Sequence, residues 1–475
     1  MGIAQTKLQE KPQMTHNNGQ PLRPFGIRDK FGYLFGDFGN DFFFMLVMAF
    51  LMVFYTDIFH INAATVGVLF MVARLTWGRF IDTRKTTPQG KFRPWVLRMS
   101  FPLVIVGVLM FVQIPGMSNG FYLAWAFVTY IVWGTLYSTV NIPYGSMASV
   151  ITDDPVERTT LSSWRTMGSM CASLIINFIG PLIVFVDNKI QADRMFMAAA
   201  LFGVLALACY FACYKLTTER IVAPENNGEK VSIGKTMKGL AKNKPLMWIL
   251  VASLIFMINT MLTQAVNIYL FKDYFSNTAA LSISGLMQTI VVFIAIPFVK
   301  PLVSKYGKKE VASAGIGLAA IVYLALFFLK GLPALPFVFI SAIGMLGFGF
   351  FNLVIWAFVT DVIDYHEFLT GLREDATVYS IYSMARKVGQ AIAGGVGGFA
   401  IAAVGYNAAA AHQSSEALSG IYGLATLVPA IIYMAIFLIL VFFYPLNKNR
   451  TNQLALDLAQ RRQEKALERN NQPAE

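Results

Sequence analysis

Apolar runs long enough to cross a lipid bilayer occupy most of this 475-residue chain and constrain its fold more than any other feature. A bilayer core about 30 Å thick is spanned by a helix of roughly 20 apolar residues. Runs of this kind lie at 31–55, 62–80, 94–114, 121–148, 161–185, 195–216, 245–271, 279–303, 311–330, 334–360, 376–405 and 419–445. The sequence therefore predicts an all-α integral membrane protein with twelve transmembrane helices.

The composition excludes most other classes of protein. Charged residues make up 13% of the chain and hydrophobic residues 56%, whereas an ordinary soluble domain carries about 25% charged residues. So few charges could not cover the surface of a soluble protein of this length. The four histidines are scattered and the three cysteines lie in apolar runs, so neither a catalytic nor a metal-ligating constellation is indicated. We therefore predict no enzyme activity, no bound cofactor, no metal site and no nucleic-acid partner.

A polar stretch at 217–244 divides the twelve runs into two sets of six. It contains Pro, Asn and Gly residues, which are typical of a linker. The predicted organisation is a cytoplasmic tail at 1–30, a six-helix bundle at 31–216, the linker, a second bundle at 245–446 and a cytoplasmic tail at 447–475. Two six-helix bundles joined in this way resemble the major facilitator architecture.

Basic residues are distributed unevenly between the two sides that this topology creates. With the N-terminus in the cytoplasm, the loops on the opposite side contain only Lys189, Arg194, Lys272 and Lys330. An excess of Lys and Arg is typical of cytoplasmic loops. We therefore expect both termini in the cytoplasm and a multi-pass protein in a bacterial cytoplasmic membrane.

A motif in the loop after the second run indicates a gating role. The residues Gly-Arg-Phe-Ile-Asp-Thr-Arg at 78–84 are similar to the Gly-x-x-x-Asp signature of major facilitator proteins, and a degenerate copy lies at 305–309. An aspartate here can accept hydrogen bonds from backbone amides and arginines at helix ends. Asp82 and Arg84 are therefore predicted to latch one bundle against the other. A merely solvated basic loop is the alternative.

Ionisable residues inside the apolar runs mark a candidate site, because charge within a membrane is costly and usually functional. Asp41 lies one turn deeper in the first run than Asp37 and is interpreted as a buried site residue. Asp37 is interpreted either as a second site residue or as a solvated group near the helix start. Arg165 lies in the fifth run, and Arg386 and Lys387 lie in the eleventh. Adjacent residues point about 100° apart on a helix. One of the last two is therefore expected to line a cavity, and the other to pair across helices or reach the membrane surface.

These groups suit the binding of a sugar. A hydroxyl both donates and accepts hydrogen bonds, so a carboxylate such as Asp41 beside the cations Arg165 and Lys387 would bind paired hydroxyls. The positive charges would also suit an anionic sugar such as a uronide. Aromatic rings that would stack on sugar faces, or simply pack, are those of Tyr137, Tyr144 and Tyr382. The buried carboxylate also offers a place for a coupling proton.

A series of short motifs follows one another along 31–446. They are Gly-Asp-Phe-Gly-Asn-Asp at 36–41, Phe-Tyr-Thr-Asp at 54–57, Gly-Lys-Phe-Arg-Pro-Trp at 90–95, Asn-Ile-Pro-Tyr-Gly at 141–145, Asp-Val-Ile-Asp-Tyr-His-Glu at 361–367, Gly-Leu-Arg at 371–373 and Arg-Lys-Val-Gly-Gln at 386–390. In this order they resemble the glycoside–pentoside–hexuronide:cation symporter family, which includes the melibiose and glucuronide carriers. The last motif is most similar to the glucuronide carriers. The resemblance implies sugar transport by alternating access.

The resemblance also implies roles for individual residues. The family's sugar-binding acid of the first helix falls on Asp41, the arginine of the fifth on Arg165 and the lysine of the eleventh on Lys387. The acid that the melibiose carrier has on its fourth helix is replaced by Asn141. Of the usual cation ligands, the hydroxyl position Ser138 remains. Asn141 is thus expected in the substrate site, and Asp41 and Ser138 are expected to bind the coupling ion, H⁺ or Na⁺.

The second helix departs from the family pattern. Family members carry two aspartates, four residues apart, between a Val-Ala-Arg motif and the Gly-x-x-x-Asp loop, and that pair forms the cation site. Here Val-Ala-Arg-Leu-Thr-Trp at 72–77 runs directly into Gly78, and both acids are missing. A desolvated Na⁺ would lack these anionic partners, which makes its burial costly.

We therefore expect a secondary transporter of a glycoside, pentoside or hexuronide, coupled to a cation and functional as a monomer in the lipid bilayer. The alternatives are an uncoupled carrier, an exporter of another solute, and a non-transporting sensor or inactive relative. The missing acids of the second helix are the reason for keeping these alternatives.

Overall fold

The computed structural model describes residues 23–76, 92–152, 154–220, 243–370, 375–408, 410 and 412–471. It divides into two compact units, Met1–Glu229 and Lys230–Glu475, which we call unit 1 and unit 2. The predicted latch residues, Asp82 and Arg84, lie outside the described residues.

Unit 1 contains six described helices and a short hairpin. The helices are α1 (Ile27–Asp57), α2 (Ala63–Thr76), α3 (Arg93–Leu109), α4 (Asn119–Ile151), α5 (Pro155–Val184) and α6 (Ala192–Leu216), and the antiparallel strands β1 (Phe185–Val186) and β2 (Lys189–Ile190) lie between α5 and α6. Asp187 and Asn188 form the two-residue turn with positive φ, which Asp and Asn adopt more readily than most residues. Within unit 1, α1 packs mainly against α5 and α6, and α3 packs against α4 and α6.

Unit 2 contains seven described helices. They are α7 (Lys244–Tyr269), α8 (Thr278–Tyr306), α9 (Lys308–Phe328), α10 (Ala334–Thr370), α11 (Asp375–Ala403), α12 (Ser415–Leu438) and α13 (Lys448–Asn471), with π-helical turns at Leu270–Tyr274 and Ile439–Phe443. α7 packs against α11 and α12, and α9 packs against α10 and α12. The charged tail helix α13 packs against α10, and Leu454 and Leu458 are its buried side chains toward the bundle.

Each of the twelve predicted apolar runs corresponds to one helix from α1 to α12, so the all-α membrane fold is confirmed. Among the described residues, nine helices are long and apolar enough to cross a membrane: α1, α4 to α10, and α12. Of the others, α2 is described for 14 residues, α3 has 17, and α11 carries Arg386 and Lys387. Large apolar side chains such as Phe101, Val204 and Phe328 are exposed, as expected on surfaces that face lipid.

Glycines allow α1 to approach its neighbours very closely. A Cβ atom added at Gly168 on α5 would lie 2.3 Å from the backbone oxygen of Leu34 on α1. One added at Gly36 on α1 would lie 2.2 Å from the ring of Tyr144 on α4. Helices approach this closely only where small residues face the partner. The close approach of α1 and α5 brings together the polar residues of the candidate site.

A buried carboxylate joins the two ends of the described part of unit 1. Asp29, in the first turn of α1, is fully buried and forms 2.9 Å ion pairs with Arg23 and Arg220. It also accepts hydrogen bonds of 3.1 Å from the backbone N–H groups of Gly26 and Thr218. We call these five residues the terminal clasp. The donors around the carboxylate offset the cost of burying its charge.

Replacing Asp29 by asparagine is expected to destabilise unit 1 strongly. The change leaves two guanidinium groups without their shared anion, and removing one partner of a buried ion pair costs about 3 kcal/mol or more. The measurement is the melting temperature of the purified protein in detergent. Asp193→Asn, at an exposed position in the first turn of α6, is the matched control and should change the melting temperature little. Equal melting temperatures for the two variants would show that the terminal clasp is not stabilising.

Candidate functional site

Two acidic residues on α1 face two polar residues on α5. The Nε atom of Arg165 donates to Oδ1 of Asp37 at 3.0 Å, in an ion pair. One turn further along, the hydroxyl of Ser169 donates to Oδ2 of Asp41. Asp37 and Asp41 are four residues apart on α1, and Arg165 and Ser169 are four apart on α5. The two residues of each helix therefore lie on one face of that helix. We call these four residues the α1–α5 cluster.

The guanidinium of Arg165 is held between α1 and α4. Its Cζ atom lies 5.2 Å from the ring centroid of Tyr144, a cation–π distance. The Tyr144 hydroxyl donates to the backbone oxygen of Tyr33 at 2.5 Å, and the two rings are stacked. A Cβ atom added at Gly145 would lie 3.6 Å from Nη1 of Arg165, so the glycine leaves space beside the guanidinium. The Arg165 side chain is 37% exposed, whereas that of Asp37 is 7% exposed.

A buried amide next to the cluster connects three helices. The Nδ2 atom of Asn40 donates to the hydroxyl of Tyr137 at 3.2 Å and to Oδ1 of Asn141 at 3.1 Å, both on α4. Its Oδ1 accepts from the hydroxyl of Tyr210 on α6 at 3.2 Å. The amide of Asn40 thus forms these three hydrogen bonds with other side chains of unit 1. They orient Asn141 and Tyr137 relative to α1.

The candidate residues predicted from sequence are distributed over both units. Those that lie in unit 1 are Asp41, Tyr137, Ser138, Asn141 and Arg165. The Ser138 hydroxyl donates to the backbone oxygen of Gly134 on its own helix at 3.0 Å. In unit 2, the buried Tyr382 on α11 accepts a hydrogen bond from the hydroxyl of Ser253 on α7 at 3.3 Å. Lys387 lies on α11, five residues further along.

Several polar residues of the site were not among those candidates. For Asp37 the sequence leaves open a site residue or a solvated group, and in the structure this residue is buried and paired with Arg165. Ser169, Asn40 and Tyr210 complete the network. A sequence signal exists for Asp37 and Ser169. Asp37 lies four residues before Asp41, and Ser169 lies four residues after Arg165, so each shares a helix face with a predicted site residue.

The fold and site together define a class of protein. Long apolar helices that carry a buried ion pair and an amide network in their interior are typical of secondary transporters, in which intramembrane charges mark a solute pathway. The chain belongs to the MFS/sugar transport protein family, whose model matches residues 32–448. It is therefore a multi-pass membrane transporter and not an enzyme.

Proteins of similar sequence are named as symporters, carriers or transporters, which agrees with this family. The chain is 34% identical over 449 residues to an uncharacterized symporter of Bacillus subtilis, covering 92% of this chain and 96% of that protein. It is 31% identical over 444 residues to a glucuronide carrier protein homolog of Escherichia coli, covering 91% and 95%. It is 34% identical over 451 residues to an isoprimeverose transporter of Lactiplantibacillus pentosus, covering 92% and 93%.

A solved structure shows the same fold. A bacterial homolog of the human lysosomal transporter Spinster matches with a TM-score of 0.61 at 11% identity, covering 91% of this chain and 99% of that one. This likeness concerns the fold alone, and the identification as a sugar transporter rests on the family.

Proposed function

We propose that this protein carries a glycoside, pentoside or hexuronide across the bacterial cytoplasmic membrane by alternating access, together with a cation. The observation that supports this most directly is the α1–α5 cluster, since charged groups inside apolar helices are expected on a solute pathway. The relatives named for a glucuronide and for isoprimeverose support the sugar class. We further propose that both termini are cytoplasmic and that the protein works as a monomer.

In this proposal, substrate hydroxyls bind to polar groups of α1, α4 and α5. The carboxylate of Asp41 accepts from one hydroxyl, and Arg165 donates to another beside the space at Gly145. The amide of Asn141, oriented by Asn40, offers both a donor and an acceptor. Further substrate contacts that we propose are those of Tyr137, Tyr382 and Lys387.

The cation that we propose first is a proton carried by Asp41. Within the α1–α5 cluster, Arg165 pairs directly with Asp37, and Asp41 is bonded to a neutral hydroxyl. A buried carboxylate is costly to ionise when the neighbouring guanidinium already pairs with another acid, so we propose Asp41 as the group that carries the proton. Na⁺ bound by Asp41 and Ser138 is the alternative.

Uptake by reconstituted vesicles tests this function. Labelled β-glucosides, β-glucuronides, xylosides and galactosides are offered under an inward proton gradient, an inward sodium gradient or no gradient. We expect at least one of them to accumulate above its external concentration when the proton gradient is applied. Accumulation driven by sodium alone would assign the coupling to Na⁺ instead.

Asp41→Asn is the comparison for this experiment. The asparagine side chain can still accept a hydrogen bond from Ser169 but cannot carry a proton. We expect correctly inserted protein that no longer accumulates the sugar. Accumulation at the level of the unaltered protein would contradict the role of Asp41.

An uncoupled carrier is the second candidate, because the second helix lacks the two acids of the family's cation site. Residues 72–77 lead directly into Gly78 in the sequence. In the same assay, an uncoupled carrier would equilibrate the sugar without accumulating it. No uptake of any compound by inserted protein would favour a non-transporting sensor.

A further inference from the structure

The α1–α5 cluster contains two carboxyl groups and one guanidinium, and the guanidinium forms its ion pair with Asp37. Asp37 contacts the guanidinium at 3.0 Å through Nε, and its side chain is almost fully buried. The side chain of Arg165 is 37% exposed. The carboxylate therefore lies on the protein side of the guanidinium and compensates its charge from within the protein.

The guanidinium has space beside it for a ligand. Tyr144 covers one face, at 5.2 Å from Cζ, and is itself held by Tyr33. At Gly145 a side chain would come within 3.6 Å of Nη1, so the absence of one leaves room at this nitrogen. A substrate oxygen that enters this space meets an arginine whose position is determined by Asp37 and Tyr144.

We infer that Asp37 sets the charge preference of the substrate site, because it holds Arg165 in an internal ion pair that favours uncharged sugars over sugar carboxylates. The inference rests on the proposed function, in which Arg165 binds substrate. It concerns a residue to which the motif resemblance assigns no role.

The preference follows from the charges that a substrate would meet. A sugar carboxylate at Nη1 would add a second negative charge beside that of Asp37, which already compensates the single cation, and like charges at short distance repel strongly inside a protein. A sugar hydroxyl can accept from the same nitrogen without that repulsion. Changing Asp37 to asparagine keeps an acceptor oxygen for Nε but frees the positive charge of Arg165, which can then bind a carboxylate.

A matched pair of ligands tests this inference. p-Nitrophenyl β-glucoside and p-nitrophenyl β-glucuronide are identical except that the first has a hydroxymethyl group where the second has a carboxylate. The dissociation constant of each is measured on the purified protein by titration calorimetry, and their ratio is compared between variants. We expect Asp37→Asn to shift this ratio toward the glucuronide by about tenfold or more, the effect of one charged hydrogen bond.

Two further variants separate charge from structure. Asp37→Glu keeps the negative charge, and Asp193→Asn removes a charge at an exposed position on α6, so both should keep the ratio of the unaltered protein. A ratio that Asp37→Asn leaves unchanged, with both ligands weakened equally, overturns the inference and leaves the proposed function intact. If the unaltered protein binds neither ligand, the inference fails, and the uptake assay with xylosides and galactosides decides separately whether the proposed function fails.

Discussion

Replacing Arg165 by alanine is expected to reduce sugar transport severely. In the proposed function this guanidinium donates directly to the substrate, and charged hydrogen bonds contribute about 1.5–3 kcal/mol each. Losing them should lower the initial rate of uptake into vesicles by about a hundredfold. The rate is measured with the substrate found in the gradient assay and is normalised to the amount of inserted protein.

Alanine at this position also leaves the buried Asp37 without its cation, which would destabilise the protein by itself. Arg165→Lys separates the two effects, because lysine keeps a positive charge for Asp37 but lacks the planar fork of donors. We expect this variant to fold normally and still to transport at least about tenfold more slowly. Arg98→Ala, at an exposed position on α3, is the control for loss of a basic residue. Normal uptake by both Arg165 variants would remove Arg165 from the substrate site.

Replacing Gly168 by valine is expected to prevent unit 1 from folding correctly. The new Cβ atom would lie 2.3 Å from the backbone oxygen of Leu34, and a backbone atom cannot move aside as a side chain can. Overpacking of this kind costs about 3 kcal/mol or more. We expect little monodisperse protein on size-exclusion chromatography and no uptake, since the α1–α5 cluster depends on this helix contact.

The matched control is Gly423→Val on α12, where an added Cβ atom meets nothing within 4 Å. It introduces the same residue into a helix without the steric conflict. A normal yield of Gly423→Val beside a poor yield of Gly168→Val would support the contact. Equal yields of active protein would contradict it.

The helices could be predicted from the sequence because each membrane span needs about 20 apolar residues whatever surrounds it. Asp41 and Arg165 could be recognised as candidates for a related reason, since charge is rare within such runs. Neither prediction requires any knowledge of how one helix packs against another.

The pairing within the site could not be predicted in the same way. The sequence predicts Asp41 in one cavity with Arg165 and Lys387, and it does not indicate that the ion pair of Arg165 is with Asp37. Which residue of α1 meets Arg165 depends on how far α5 is shifted along α1, and the contact of Gly168 with Leu34 determines that shift. The sequence does not predict Asn40 as a site residue, because an uncharged amide is much less conspicuous in an apolar run than a carboxylate.

The terminal clasp joins the chain segment that precedes α1 to the chain segment that follows α6. Arg23 precedes the first of six helices and Arg220 follows the last, yet both bind the same carboxylate, Asp29. An exchange of halves between related transporters should therefore be cut after residue 220. In a chimera joined between 216 and 220, Asp29 would come from one parent and the residue at position 220, its ion-pair partner, from the other. The natural boundary for recombination thus lies a few residues beyond the last helix.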